Sequence, residues 1–514
     1  MNNKKNKNVK KTTHKKKIGE KIIATYEFKA EDIPVRVTIK KNRDDYVPIY
    51  VVNIKNISEA TEMVLEDIKY KLINEVNILI EDIRNPKKSD EIEKRFEDKI
   101  SILVQKYFPD VDKKTIKFMA SYITMKSLKL GKIELLLHDN NLEEIAVNGA
   151  YDNVWVYHKK YEWLKTNIKL KSPDIIYKYA ASIGRRVGKE ITILNPLMDA
   201  TLKTGDRVNA TLKPISSFGN TITIRKFARK PWTITDMINN KTITPEAASI
   251  IWLSVQYELS TLITGGTASG KTSMLNVISS FFPPNQRIIS IEDTREITLP
   301  KFLHWVPLST RLKNSEGKGG VSMLDLMVNS LRMRPDRIIV GEIRRQAEAE
   351  VMFEAMHTGH SVYATVHANN AQETIVRLTS PPINIPKSML PAISLIVVQF
   401  RNRRLGYRRT FQLAEILNDG NQKTLMQWEA KSDKLKKIAE SSSLIGHIKL
   451  YTGMSKNEIN RDLSEKISIL KWLSKHNINM INDVGKIMAE YYTNKEYILN
   501  IVKKNKYPSS IIGV

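Results

Sequence analysis

The run Gly265-Gly266-Thr267-Ala268-Ser269-Gly270-Lys271-Thr272 satisfies the spacing G-x-x-x-x-G-K-[ST]. Glycines let the backbone curl until its N–H groups, and the start of a following helix, face the oxygens of a phosphate. A lysine in this position neutralises charge on the β- and γ-phosphates, and the hydroxyl after it ligates the magnesium that a nucleoside triphosphate carries. Thr261 to Thr264 ahead of the loop reads as a strand and Ser273 to Ser280 behind it as a helix. That context separates a phosphate loop from a chance glycine-rich turn. The residues imply ATP and Mg2+ as ligands, with Thr272 on the metal.

Acids and histidines follow at intervals. Ile288 to Ile291 is an apolar run ending in Glu292, Asp293 and, three residues on, Glu296. Acids at the carboxyl end of a strand in a parallel sheet sit where such sheets bind ligands; the competing reading is a solvated charged turn. Ile338-Ile339-Val340-Gly341-Glu342 is another strand ending in an acid. A carboxylate there can polarise a water that attacks MgATP, and Gly341 would let the backbone approach the nucleotide. The familiar strand-end aspartate is absent, so Glu342 is expected to hold magnesium through water; an ion pair with Arg344 competes with that role. His360 and His367 bracket Ser361 to Val366. A lone histidine is as a rule structural, whereas two around one strand of such a sheet read as sensors of the γ-phosphate or of a neighbouring subunit.

These groups need a scaffold, and the pattern from Pro245 to about Ile416 supplies one. Strands alternate with helices, the mark of a parallel sheet covered on both faces. Thr244 and Pro245 read as the cap and first position of a helix, and Pro231 to Thr244 as a linker. Upstream, Ile145 to Val147, Val154 to Tyr157, Arg207 to Leu212 and Thr221 to Arg225 read as strands and Ile175 to Ile183 as a helix. This predicts an α+β domain over 141–230. Before it, Pro34 to Ile39 and Tyr46 to Ile54 read as strands, and Glu59 to Ile83, Ser89 to Tyr107 and Thr115 to Leu130 carry helical spacing. The expected division is a basic tail (1–17), a strand and helical region (18–140), the α+β domain (141–230), a linker (231–244), the ATPase domain (245–416) and a helical C-terminal region (417–514).

A chain of 514 residues is too long for one core. The longest apolar candidate, Met389 to Phe400, falls short of a membrane span. Met1 to Lys17 is rich in lysine and asparagine without the apolar segment of a signal peptide, so a cytoplasmic location is expected. The absence of cysteine excludes disulfides and thiolate metal sites. The net charge of +27 calls for an anionic partner: nucleic acid, anionic lipid or an acidic protein face. The tail itself is expected to be disordered, either merely solvated or in contact with an anionic membrane surface.

The order of these segments resembles the type II and type IV secretion ATPase superfamily, the motors of secretion systems, type IV pili and the archaeal flagellum. The resemblance runs through Thr261 to Thr272, the acidic segment Ile291 to Glu296, Leu331 to Arg344, and Thr358-Gly359-His360 with Thr365 to Asn369. Upstream it includes Glu143 to Gly149, Gly184-Arg185-Arg186, Pro196 to Ala200, Gly205 to Val208 and Thr223 to Arg225. Val156 to Trp163 and Arg401 to Gly406 look like its archaeal branch. The chain departs from the common arginine-glycine-glycine-glutamate run, reading Arg344-Arg345-Gln346-Ala347-Glu348, and lacks the four-cysteine zinc module of some members.

The resemblance implies a RecA-like P-loop domain behind an α+β domain, nucleotide in the cleft between them, and a homohexameric ring. It implies that Glu296 positions or activates water and that Glu342 supports magnesium and water. Arg207 and Arg225 are the candidates for arginine-finger roles, with surface ion pairs as the alternative. The implied partners are a polytopic membrane platform protein at the inner face of the cell membrane and, indirectly, a pilin-like or secreted substrate. A nucleic-acid motor on the same fold is the alternative.

Overall fold

The computed structural model describes residues 21–41, 45–54, 59–75, 89–227, 230–311, 313 and 317–513. The basic tail and the 76–83 part of the expected first helix lie outside them. The chain divides into two compact units, Met1–Phe227 and Ala228–Val514.

The first unit is built on one nine-stranded sheet, in the order β1-β2-β3-β6-β5-β4-β9-β8-β7. Its strands are β1 (Lys21–Ala30), β2 (Ile33–Lys41), β3 (Ile49–Ile54), β4 (Leu142–Val147), β5 (Asn153–His158), β6 (Glu162–Lys169), β7 (Leu197–Thr201), β8 (Arg207–Thr211) and β9 (Thr221–Arg225). Its helices are α1 (Glu59–Glu75), α2 (Ser89–Tyr107), α3 (Lys113–Ser127), α4 (Lys132–His138) and α5 (Pro173–Arg186). Strand alternation is regular: Val208, Ala210, Ile222 and Ile224 enter the core while Arg207, Asn209 and Arg225 stay outward.

The boundary expected at residue 140 falls inside this sheet, because β3 pairs in parallel with β6, Ile49 with Lys165 and Tyr50 with Thr166. Asn167 fixes the junction by accepting from Val52 N (2.9 Å) and donating to Val52 O (3.1 Å). Buried Asp139 adds a second tie, accepting from Tyr26 (2.6 Å) and Tyr50 (2.7 Å) hydroxyls. A pairing between segments so distant in sequence leaves no local periodicity to read.

The second unit opens with a correction. The stretch expected as a linker contains helix α6 (Ile234–Asn239), whose capping box joins Thr233 and Asp236. Helix α7 (Pro245–Gln256) starts where Thr244 accepts from Ala247 N at 3.2 Å and Pro245 occupies the first turn.

The sheet of this unit runs β12-β11-β13-β14-β10-β15-β16-β17-β18. Strands β10 (Thr261–Gly265), β11 (Arg287–Glu292), β12 (His304–Ser309), β13 (Arg337–Val340), β14 (Ser361–Val366) and β15 (Leu395–Asn402) are all parallel. Strands β10, β13 and β14 are buried along their whole length, as parallel strands covered on both faces must be. The covering helices include α8 (Lys271–Ser279), α9 (Met323–Leu331), α10 (Gln346–His357) and α11 (Ala371–Thr379).

Three antiparallel strands, β16 (Tyr407–Ile416), β17 (Gln422–Glu429) and β18 (Lys434–Lys437), extend the sheet, so the C-terminal region begins with strands. Helices α12 (Ser443–Thr452), α13 (Lys456–Lys475), α14 (Ile481–Thr493), α15 (Lys495–Lys503) and α16 (Ser509–Ile512) follow and share the core beneath α7 and α8. Buried Trp252 of α7 stacks on Phe281 at 5.3 Å and donates to Tyr492 at 3.0 Å, binding α14 to α7. Among the described residues no helix is long and apolar enough to cross a membrane.

Candidate nucleotide site

Strand β10 delivers the loop and α8 receives it. A side chain at Gly265 would bring a Cβ within 2.4 Å of Gln399 O and of Ser269 Oγ, and φ there is 151°. Gly270 caps α8 in the left-handed region at φ 98°. The first internal bond of the helix is Met274 N to Gly270 O (2.9 Å), so the N–H groups of Lys271, Thr272 and Ser273 turn toward the loop. Lys271 Nζ donates to the carbonyls of Gly265 (2.9 Å) and Gly266 (3.1 Å). Burial lowers its pKa, with Glu342 pulling the other way and Arg344 adding to the depression.

The acids stand on neighbouring strands at the same edge. In the order β11-β13-β14-β10, β13 is two strands from the loop strand, about 10 Å, and β11 about 14 Å. Glu342 follows β13. Thr365 of β14 positions it, donating to Gly341 O (2.6 Å) and accepting from Ile343 N at its own carbonyl (2.9 Å). Its carboxylate accepts from Arg344, which also donates to Asp293 (2.9 Å), so the ion pair expected as the competitor is present. A Cβ on Gly341 would meet its neighbours at 3.5 Å, ordinary contact, so protein packing does not demand glycine there. Glu348, at the end of the divergent run, accepts from Arg344 N (3.0 Å) and Arg345 N (3.1 Å) and so opens α10.

Glu292 was one of three acids in the sequence and not singled out; the fold distinguishes it. It is 2% exposed, and burial pushes its pKa up to about 7. One oxygen accepts from Glu296 N (2.8 Å) and Ile297 N (3.0 Å). The other is among the buried atoms without a partner in the described residues. Asn276 of α8 accepts from Thr298 N at 2.9 Å. The turn carrying exposed Glu296 is thereby tied to both β11 and the helix behind the phosphate loop.

The histidines separate. His367 follows the carboxyl end of β14, level with the loop, since Val366 pairs with Thr264. His360 precedes Ser361 at the other end, roughly 20 Å away along the strand. Its ring Nδ1 is 3.1 Å from Thr358 Oγ1. The γ-phosphate half of the expectation for His360 is therefore corrected: a residue at the amino edge of a parallel strand lies away from the ligand edge.

Arg207 and Arg225 belong to the first unit, where they pair directly across β8 and β9. Arg207 forks onto Asp199, at 3.1 Å from Nε and 2.6 Å from Nη2, and holds that carboxyl below its usual pKa. Arg225 stands opposite Glu144.

The loop fits a nucleotide. Ser269 Oγ is buried without a partner among the described residues, the helix start offers N–H groups, and a desolvated lysine lies over two carbonyls. The backbone of Gly265 through Thr272, including Gly266, Thr267, Ala268, Ser269 and Gly270, would hold the phosphates, and the Thr272 hydroxyl the magnesium. A parallel sheet carrying this loop and these strand-end acids defines an α/β P-loop domain built to bind nucleotide phosphates.

The profile of the type II/IV secretion system protein family matches residues 126–449, more than half of the chain, and the chain belongs to that family. An uncharacterized protein of Methanocaldococcus jannaschii is 38% identical over 323 residues, 61% of this chain and 58% of its own length. The chain thus spans little more than half of that relative. The type IV secretion system protein PtlH of Bordetella pertussis is 29% identical over 306 residues, 53% of this chain and 89% of its own. Two solved structures are similar: the pilus retraction motor PilT with bound ADP (18% identity, TM-score 0.40, 74% of this chain and 97% of its own) and the VirB11 ATPase of the Brucella suis type IV secretion system (21%, 0.29, 56% and 93%).

Proposed function

We propose that the protein hydrolyses MgATP to power filament assembly or protein secretion through a polytopic membrane platform protein, working as a homohexamer. The observation that carries the catalytic part is the Lys271 ammonium held over the Gly265 and Gly266 carbonyls at the start of α8, on the same sheet edge where β13 runs into Glu342. Lys271 would leave the Gly265 and Gly266 carbonyls for β- and γ-phosphate oxygens. Glu296, on a turn held by Glu292, would orient the attacking water, and Glu342 would support that water and the magnesium shell. Magnesium would neutralise phosphate charge. Arg207 and Arg225 would add positive charge in the transition state, and His367 would sense the γ-phosphate.

Family membership and a type IV secretion relative support the transport reading. A pilus, an archaellum-like filament and a secreted protein are the outputs within it, and the cytoplasmic face of the membrane is its place of action. The test combines Mg-dependent phosphate release with sizing in the presence of ATP and titration with vesicles carrying the platform protein. Turnover raised by the platform protein, with a six-fold assembly, is the expected result. Stimulation by DNA and not by the platform protein would replace it with a nucleic-acid motor.

A further inference from the structure

Strand β15, the neighbour of the loop strand, turns back into β16 beside the phosphate loop. Gly265 pairs with Gln399, and the β15–β16 register shifts between Val398 and Gln399, placing a bulge against the first glycine of the loop. The turn is fixed by Asn402, which accepts from Leu405 N (2.9 Å) at its side chain and from Gly406 N (2.9 Å) at its carbonyl. Gln399 donates to Thr410 Oγ1 at 3.0 Å, and Thr410 N donates to Thr242 O at 2.6 Å, so the returning strand is tied both to β15 and to the segment ahead of α7.

Two consecutive arginines on that strand part company. Arg409 is buried and forks onto Asp433, a structural pair. Arg408 goes the other way: its Nε donates to Ala268 O at 3.0 Å, and its Cδ would be 3.6 Å from a Cβ on Gly270. Ala268 holds φ at 58°, a left-handed conformation that a residue with a Cβ avoids unless its surroundings impose it.

We infer that Arg408 is a positioning residue for nucleotide binding: its guanidinium pins the Ala268 carbonyl outward and so holds the loop in the shape that turns its N–H groups to phosphate. This rests on the ATPase reading above. Lys271 reaches the loop from within, and its carbonyl contacts are surrendered to phosphate in that reading; Arg408 approaches from outside and need not let go. A bound polyphosphate orders the same loop through the same N–H groups, so the contribution of Arg408 is largest before binding and falls on affinity more than on the chemical step.

The experiment compares wild type, Arg408→Ala, Arg408→Lys and Arg404→Ala, an exposed hairpin-tip control, in steady-state MgATP hydrolysis and in ADP binding by calorimetry. Arg408→Ala should raise KM and the ADP Kd on the order of tenfold, the worth of one charge-assisted hydrogen bond, with kcat within about twofold. Arg408→Lys should recover part of the affinity, because an ammonium can still donate to the carbonyl but without the fixed fork. Arg404→Ala should match wild type. Unchanged KM and Kd in Arg408→Ala, or a loss confined to kcat, would overturn the inference while leaving the ATPase reading standing. A wild type that neither binds ADP nor hydrolyses ATP would overturn the ATPase reading and the inference with it.

Discussion

Arg344 grips Glu342 with two donors, Nε at 3.0 Å and Nη2 at 2.6 Å from the same carboxylate oxygen. The third contact of that guanidinium is Asp293, so one cation bridges the ends of β11 and β13. The Arg344 side chain is 59% exposed. A pair in that setting is worth about 1 kcal/mol or less and exchanges readily when a stronger partner arrives.

Glu342→Gln should keep ATP affinity close to wild type while kcat falls on the order of 100-fold, since the amide retains the shape and loses the charge that acts on water and the magnesium shell. Calorimetry beside phosphate-release kinetics checks both halves. Normal turnover of a weakly bound nucleotide would reverse the assignment.

Lys271→Ala should abolish turnover and leave the melting transition nearly in place, because among the described residues the ammonium donates to loop carbonyls and to no core side chain. Near wild-type rates under saturating MgATP would remove the loop lysine from the chemistry.

Glu292 predicts a pH signature. Its pKa is raised to about 7 from 4.5 by burial, so between those values the folded state holds a proton that the unfolded state releases. Stability from this group is therefore greatest at low pH and falls as pH rises through the window, by at most about 3 kcal/mol. Glu292→Gln cannot ionise and lacks that slope. Urea midpoints at about pH 5 and pH 8 should move in favour of the variant at the higher pH; parallel behaviour of the two proteins would contradict the assignment.

Arg207→Ala and Arg225→Ala should each lower kcat, by on the order of 10³-fold for a true arginine finger, with ATP binding retained. Asp199→Asn removes the charged partner of Arg207 and serves as the control for a purely structural ion pair. If Asp199→Asn and Arg207→Ala lose the same activity, the pair and not the finger is what matters.

Local chemistry was enough to find the loop, its strand and its helix, because the glycine, lysine and threonine requirements all act within a few residues. The same holds for α7, whose Thr244 cap and Pro245 are adjacent, and for α2, whose apolar spacing is its own signal. Strand β1 escaped because its adjacent Ile22 and Ile23 are both exposed and only Ala30 is fully buried, which blurs the alternation, and α6 because its six residues are too short for periodicity to outweigh a polar stretch. What the fold alone decided depends on distance. The β3–β6 pairing merged two expected regions; strand direction sent His360 and His367 to opposite edges; burial set Glu292 apart from Asp293 and Glu296; and sheet order brought Arg408 to Ala268. The sequence determines which groups can do phosphate chemistry, since that is a property of residue type and short spacing. Which of them meet is fixed by the tertiary structure, because the contacts bridge segments whose separation along the chain carries no information about their separation in space.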